Sequence, residues 1–365
     1  MALLAGIEVR TCLGDGEATF ARMMTGASGA RPLLDVDPAL VNVSHGYQSD
    51  VALPRSATQP LLECLAAVAG HCAGPVPVVV GTGLREIRPL ERWALEAGEM
   101  NTECLDFGRA VSAQLPGLWP VTTISNACSA SGHALAIAQD MVDSGEAEAV
   151  AAAGTDVVAA SMLAMIGRVS SDRTTRIRPF DIDRTGVLLG EGAAAALVVA
   201  DGWTGPVAGR ILATGLSCDA FHETAPSRDG IVRAIRDAHR RAGCRPADID
   251  LVVAHGTGTA LNDPTELAAI REVFGSTLGP LVTAGKGAIG HTSGAAALVN
   301  LDLAVRAFAG EVPPITGLDR PVLEAAGVRL VVGSPVRGTA VDVVQVNAFG
   351  FGGVNAVTLL ARPGR

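Results

Sequence analysis

Short apolar runs alternate with amphipathic stretches along this chain of 365 residues. The runs at 78–80, 149–153, 251–254 and 341–347 are rich in Val, Leu and Ala and too short for helices, so they predict buried strands. Between them, 61–69, 131–142, 231–242, 264–273 and 295–309 place apolar residues three and four apart, the period of a helix packed on one side. The alternation predicts an α/β protein whose sheets are covered by helices. A weak repeat overlies the pattern. Gly186-Val187-Leu188-Leu189-Gly190-Glu191-Gly192 leads into an apolar run at 193–200, and Gln345-Val346-Asn347-Ala348-Phe349-Gly350-Phe351-Gly352-Gly353 leads into 354–360. Each reads as strand, glycine turn, strand; the pair marks either a duplicated unit with its seam near 201–206 or a chance likeness of two hairpins.

Composition narrows the class. With 48% hydrophobic and 18% charged residues the chain reads as a soluble globular protein. Its 43 glycines and 3% aromatics favour closely packed elements with backbone near a ligand. A net charge of −9 argues against nucleic acid or an anionic membrane as partner. The apolar stretch 149–167 is broken by Thr155 and Asp156, so no membrane span is expected. The first residues carry no basic segment, so no signal peptide is expected and the chain reads as cytoplasmic. Seven scattered cysteines with no Cys-x-x-Cys pair fit reduced thiols better than disulfides or a zinc site.

Three residues stand in small-residue settings suited to chemistry. Cys128 lies in Ser125-Asn126-Ala127-Cys128-Ser129-Ala130-Ser131-Gly132, between a β-rich run at 121–124 and a helical one. A thiol at the start of a helix gains roughly 1–2 kcal/mol for its thiolate, which favours ionisation; a buried structural cysteine is the alternative. His255 follows a strand and opens His255-Gly256-Thr257-Gly258-Thr259, with Asp263 and Glu266 at the start of the next helix. That loop lacks the lysine and spacing of a P-loop. His291 closes Lys286-Gly287-Ala288-Ile289-Gly290-His291 just before a helix, where the dipole favours a neutral, donating imidazole. A strand-end or capping role is the alternative for each histidine. Lys286 is the only lysine in the chain. One thiolate and two neutral imidazoles suit thioester chemistry, in which the imidazoles donate to an enolate oxygen. Without a carboxylate at ligand spacing they make a poor zinc site, and no metal is expected. Backbone N–H groups at 350–353 could complete an oxyanion hole.

These motifs, in order, resemble the β-ketoacyl-acyl carrier protein synthases of the elongating type, in the thiolase-like superfamily. The likeness runs almost end to end. It includes the Cys128 turn, Arg178-Pro179-Phe180-Asp181 with Arg184, Gly190-Glu191-Gly192 and Asp219-Ala220-Phe221-His222-Glu223-Thr224-Ala225-Pro226. The histidine motifs and Asn347-Ala348-Phe349-Gly350-Phe351-Gly352-Gly353-Val354-Asn355 complete it. The resemblance implies a duplicated βαβαβαββ fold in five αβαβα layers, with an N-terminal half over 1–204 and a C-terminal half over 205–365. It implies that Cys128 is acylated and that His255 and His291 support decarboxylation of a malonyl-type thioester. Lys286 would order His291, with Glu266 in the same network. The N–H groups of Cys128 and Phe351 would form the acyl oxyanion hole, with Phe351 as gate. Thr257 and Thr259 would hold pantetheine, and Phe349, Gly350, Leu84 and Phe221 would contact substrate. No resident cofactor is implied, since substrates ride on phosphopantetheine or coenzyme A; the partners are an acyl carrier protein and a second subunit, identical or related.

Neighbouring branches fit less well. A chain-initiating synthase would carry Asn in place of His291, a thiolase a second cysteine near 350–353, and a chain-length factor would lack Cys128. The chain is short for the family, chiefly between about 45 and 120, where a basic docking stretch is usual. Arg55, Arg85, Arg88, Arg92, Arg173 and Arg176 are the candidate docking residues, or else solvated charge. Val187 stands for a usual Phe and Ala297 for a usual Gly. The expected function is decarboxylative condensation in a specialised pathway; acyl transfer from Cys128 to a non-malonyl acceptor, or a non-catalytic place in a heterodimer, are the alternatives.

Overall fold

The structure is a computed structural model describing residues 2–50, 56–69, 72, 74–96, 100–169, 173–275 and 279–365. The apolar runs form strands, as the sequence predicts. Five belong to the first half of the chain: β1 (Ala2–Thr11), β2 (Val76–Thr82), β3 (Leu118–Ser125), β4 (Ala149–Asp156) and β5 (Gly192–Ala200). The second half supplies β6 (Gly209–Cys218), β7 (Leu251–Val253), β8 (Leu281–Thr283), β9 (Arg329–Leu330), β10 (Val343–Gly350) and β11 (Val354–Ala361). With a short hairpin strand, Gly14–Asp15, they make one twelve-stranded sheet among the described residues, in the order β9-β8-β7-β10-β11-β6-β1-β5-β4-β2-β3.

The order is the same on both sides. Numbered from its own start, each half reads 3-2-4-5-1 from edge to centre, with an added edge strand, β9, in the second. Parallel and antiparallel pairs also correspond: β2 is parallel to β3 and β4, as β7 is to β8 and β10, while β4–β5 and β10–β11 are antiparallel. The halves meet where Leu3 and Leu4 of β1 pair with Arg210 and Gly209 of β6. One expectation needs correction. The run 186–191 is not the first arm of a hairpin; it holds only isolated bridges, Tyr47 to Gly190 and Leu189 to His291, and Gly192 already begins β5. The true counterpart of the β10–β11 pair is β4–β5, and residues 157–191 are an excursion between them.

Among the described residues, six helices build the three layers that cover the sheet. They are α1 (Thr58–Ala69), α2 (Phe107–Gln114), α3 (Ala130–Asp143), α4 (Arg228–Ala242), α5 (Asn262–Phe274) and α6 (Ala296–Ala307). Successive strand residues face opposite sides, so each strand feeds two cores. In β5, Ala194, Ala196 and Val198 join the central core with Leu135 of α3 and Leu298 of α6. Ala193, Ala195 and Leu197 face away and pack with Leu61 and Leu65 of α1. In the second half, Val344 and Val346 face the centre, whereas Val343 packs outward with Ile231 and Ile235 of α4. The result is α1–α2, the first-half strands, α3–α6, the second-half strands, α4–α5: the five layers expected. No helix among the described residues is long and apolar enough to cross a membrane.

The central helices sit close to the strands because small residues let them. A Cβ on Gly81 of β2 would lie 2.4 Å from the Ala130 carbonyl carbon and 2.5 Å from Ser131 N, backbone atoms that cannot swing aside. Gly81→Ala is therefore expected to destabilise the fold by about 1–3 kcal/mol. Urea unfolding followed by circular dichroism measures this, and an unchanged midpoint would contradict the packing described.

Candidate active site

The ends of the two central helices carry the site. β3 ends at Ser125, a single 3-10 turn spans Ala127–Ser129, and α3 begins at Ala130. Ala127 takes φ 50°, a left-handed conformation uncommon for a residue with a Cβ, and it turns Cys128 out between strand and helix. The second half repeats the device. Ser293 takes φ 48°, a 3-10 turn spans Ser293–Ala295, and α6 follows. Asp156, buried at the end of β4, ties the second turn to the first half. Its carboxylate accepts from Gly83 N (2.7 Å), Leu84 N (3.1 Å), Thr82 Oγ1 (2.8 Å) and Gly294 N (2.6 Å).

Cys128 is half-buried by its exposed surface, but its thiol lies deep among protein atoms. Burial pushes the thiol up to about 11; the Lys286 charge and the N–H groups of Phe351 and Cys128 pull it back, and Asp156 adds to the rise. The expectation that a helix start leaves this thiol poised to ionise is thus corrected for the free site, because desolvation outweighs the donors.

Both histidines are buried, with ring centroids 5.5 Å apart and planes at 87°. Their tautomers follow from their partners. Ser293 N–H can only donate, and it lies 3.2 Å from His291 Nδ1. Phe349 N–H likewise lies 3.4 Å from His255 Nδ1. Each Nδ1 must accept, so each ring carries its proton on Nε2. Burial, then the Lys286 charge, hold both imidazoles well below the ordinary histidine value, with His291 adding to the effect on His255. The site therefore holds two neutral N–H donors.

Lys286 is buried and opens a one-turn helix, Lys286–Ile289. Its Nζ lies 3.2 Å from His255 Nδ1 and donates to the His255 carbonyl. The expected order is corrected here: Lys286 contacts His255, not the nearby-in-sequence His291. The one-turn helix spends those five residues turning away, while β7 and β8 run side by side and bring residue 255 close. Burial lowers the ammonium to about 8, against the pull of Glu266, Cys128 and Asp263.

Glu266 is wholly buried on α5. It accepts from His255 N and Gly256 N at 2.8 Å, Asn347 Nδ2 at 3.0 Å and Asn262 Nδ2 at 3.4 Å. Asp263 beside it accepts from Phe180 N (2.7 Å) and Gly258 N (3.1 Å), and burial pushes it up to about 6. These carboxylates shape the loop that carries Thr257 and Thr259, whose hydroxyls lie 3.0 Å apart.

The remaining candidates are placed as follows. Phe349 is buried with its ring 5.5 Å from that of His255, and Gly350 follows at the end of β10. Phe351 is 47% exposed and begins a turn in which Gly352 and Gly353 take φ 80° and 78°. A Cβ on Gly353 would meet Asp219 Oδ1 at 2.2 Å, so that glycine is required. Phe221 is 70% exposed; its segment joins the same turn through Gly352 N to Glu223 O (2.9 Å). Leu84 is half-buried on the loop held by Asp156. Among the docking candidates Arg85 and Arg176 are exposed beside Asp106 and Asp319, and Arg173 and Arg92 are exposed. Arg88 is instead built into the fold by Asp35 (2.8 Å) and Glu91 (3.0 Å), which leaves it unsuited to docking; Arg55 lies outside the described residues. Sequence reading assigned no role to Asn347 or Asp156. Asn347 was detectable as an amide interrupting an apolar strand. Among the described residues, no three His, Cys, Asp or Glu gather as a metal site.

Comparison with known proteins identifies the family. Residues 112–202 match the family model for the beta-ketoacyl synthase N-terminal domain, and 208–319 match that for the C-terminal domain. The chain is 34% identical over 259 residues to a 3-oxoacyl-[acyl-carrier-protein] synthase 2 of Rhizobium meliloti (strain 1021), covering 67% of this chain and 61% of that protein. It is 33% identical over 305 residues to Nodulation protein E of Rhizobium sp. (strain N33), covering 78% and 74%. The match thus spans less than two thirds of the first relative's length. The solved ishigamide ketosynthase/chain length factor superposes with a TM-score of 0.87 at 28% identity, covering 100% of this chain and 99% of that one. With both halves matched in order on a thiolase-like fold, the chain belongs to the β-ketoacyl synthase family.

Proposed function

We propose that this protein catalyses decarboxylative Claisen condensation, joining an acyl group held on Cys128 to a malonyl-type thioester. The observation that carries the reading is the pair of neutral imidazoles whose Nδ1 atoms both accept backbone N–H, leaving two Nε2–H donors 5.5 Å apart by ring centre. In the first half-reaction Cys128 Sγ attacks the acyl thioester carbonyl and the carrier thiol leaves. The N–H groups of Cys128 and Phe351 are aimed at that sulfur and suit the oxyanion formed beside it. In the second, the malonyl thioester loses CO2, and the enolate oxygen is held by Nε2–H of His255 and His291. The enolate carbon then attacks the acyl-Cys128 carbonyl, and the Cys128 thiolate leaves. Lys286 polarises the His255 ring from its Nδ1 side and strengthens its donation. Thr257 and Thr259 would offer hydroxyls to pantetheine amides, and the half-exposed Phe351 would gate the acyl group.

The substrates are thioesters on an acyl carrier protein, with Arg85, Arg173 and Arg176 as the exposed candidate contacts. The likeness to the ishigamide ketosynthase/chain length factor, at 28% identity, supports a paired subunit here and a specialised pathway over housekeeping synthesis. A homodimer and a heterodimer both satisfy this reading.

Incubation with acyl- and malonyl-carrier thioesters is expected to release CO2 and yield a β-ketoacyl product. Cys128→Ala should abolish condensation. His255→Ala should lose about two or more orders of magnitude of CO2 release while intact-mass analysis still finds acyl-Cys128. Acyl-Cys128 that clears only with a non-malonyl acceptor would overturn the condensation reading.

The pH dependence should differ between the half-reactions. The imidazoles stay neutral far below the usual range, so malonyl decarboxylation should show no acid limb near neutrality. Lys286 is cationic below about 8 and loses its charge above it, so decarboxylation should fall as pH rises through that value. Acylation of Cys128, whose thiol is held up near 11, should keep rising over the same interval. Parallel profiles for the two steps would contradict this.

A further inference from the structure

A string of four buried side chains runs from the outer helix layer to the back of the site. His239 lies on α4, Gln345 and Asn347 on β10, and Glu266 on α5, and none is more than 5% exposed. His239 Nε2 stands 2.9 Å from Gln345 Oε1, Gln345 Nε2 2.9 Å from Asn347 Oδ1, and Asn347 Nδ2 3.0 Å from Glu266 Oε1.

The last member fixes the direction of every link. A carboxylate can only accept, so Asn347 must present its NH2 to Glu266. Its oxygen then faces Gln345, which must present NH2 in turn. That leaves the Gln345 oxygen for His239, whose proton must sit on Nε2. All three bonds point toward Glu266, and turning any amide over would set donor against donor or oxygen against oxygen. Such a string is a costly way to fill a core, since an apolar pair at 239 and 345 would pack beside Phe274 without needing partners. What it supplies is a lock on the Asn347 amide. Residues 345, 347 and 349 also share one face of β10, and the N–H of Phe349 is the donor that sets the His255 tautomer.

We propose that His239 and Gln345 are positioning residues, which through Asn347 orient the Glu266 carboxylate that holds the His255 turn and faces Lys286. The role rests on the reading of His255 as a decarboxylation donor, but its physical effect can be measured without turnover. Glu266 that loses its Asn347 donor should concentrate its charge on Lys286. Asp263, Cys128, His255 and His291 are the other titratable groups facing that ammonium.

Lys286 is the chain's only lysine, so tag-free protein grown with carbon-13 lysine gives one side-chain resonance to titrate by NMR. The wild-type midpoint should lie at about 8. In His239→Leu and Gln345→Leu it should rise by about half a unit or more. His239→Gln, which keeps a donor for Gln345, should titrate with wild type. Gln345→Asn, polar but too short to bridge, should shift upward and serves if the leucine variants do not fold. In condensation assays below about pH 8, where Lys286 is charged in every variant, the shifted variants should release CO2 about tenfold more slowly because the His255 turn loses its fixed carboxylate, with Cys128 acylation within about twofold of wild type and the alkaline fall moved up with the midpoint. A midpoint unmoved in the folded variants overturns the proposal. A moved midpoint in a protein whose wild type releases no CO2 supports the string and overturns the decarboxylation reading instead.

Discussion

The Glu266 carboxylate, which can only accept hydrogen bonds, is buried where β7 gives way to α5, and the site depends on it. With no solvent at hand, its oxygens are satisfied by four N–H donors from the His255 turn, Asn262 and Asn347. Losing one such donor costs on the order of 1–3 kcal/mol, so the loop is held to the geometry that satisfies the carboxylate. That geometry puts His255 at a strand end with Nδ1 toward Phe349 N and Lys286, and Nε2 on the opposite side of the ring. The same negative charge keeps an ammonium tolerable in a place where burial works against it.

The duplicated fold explains why two such centres meet. Each half delivers one central helix, and each helix is preceded by a 3-10 turn that opens on a left-handed residue, Ala127 or Ser293. A helix start presents unpaired N–H groups and room for small side chains. One copy of the turn carries the thiol; the other follows His291. Asp156 fastens the copies together by accepting from Gly83 and Leu84 of the first half and Gly294 of the second. Close helix–strand packing at Gly81, and between the central helices where a Cβ on Gly132 would meet Ala297 at 3.3 Å, keeps the helix starts in place.

Much of this was legible from the chain because local pattern dictates it. Strands buried on both faces read as apolar runs, and amphipathic helices read by their period. Cys128, His255 and His291 stood out as reactive types among small residues. What depends on distant pairing was not legible. The seam between Leu3–Leu4 and Gly209–Arg210 joins segments two hundred residues apart, and β9 is two residues long with no pattern to detect. The resemblance implies that Lys286 orders His291, whereas the parallel pairing of β7 and β8 gives it to His255. Arg88 reads from the sequence as a candidate docking residue or solvated charge, but Asp35 and Glu91 build it into the fold. The first glycine turn resembled the second in letters alone, because 157–191 separates it from the strand it would have paired with.

Desolvation is the largest influence on Cys128, His255, His291 and Lys286 alike, and it drives each toward its uncharged form. Yet they do not all become neutral at the same pH. The thiol, held up near 11, is uncharged at neutrality, so the Lys286 cation cannot be sustained there by a Cys128 thiolate. At neutrality Glu266, the largest of the groups that raise it, and Asp263 sustain it, with Cys128 adding to them only where its thiol ionises; neither carboxylate is consumed in the proposed reaction. Acylation of Cys128 therefore leaves the ammonium in place. One fixed charge can favour thiolate formation in the first half-reaction and polarise His255 in the second, with no rearrangement between them.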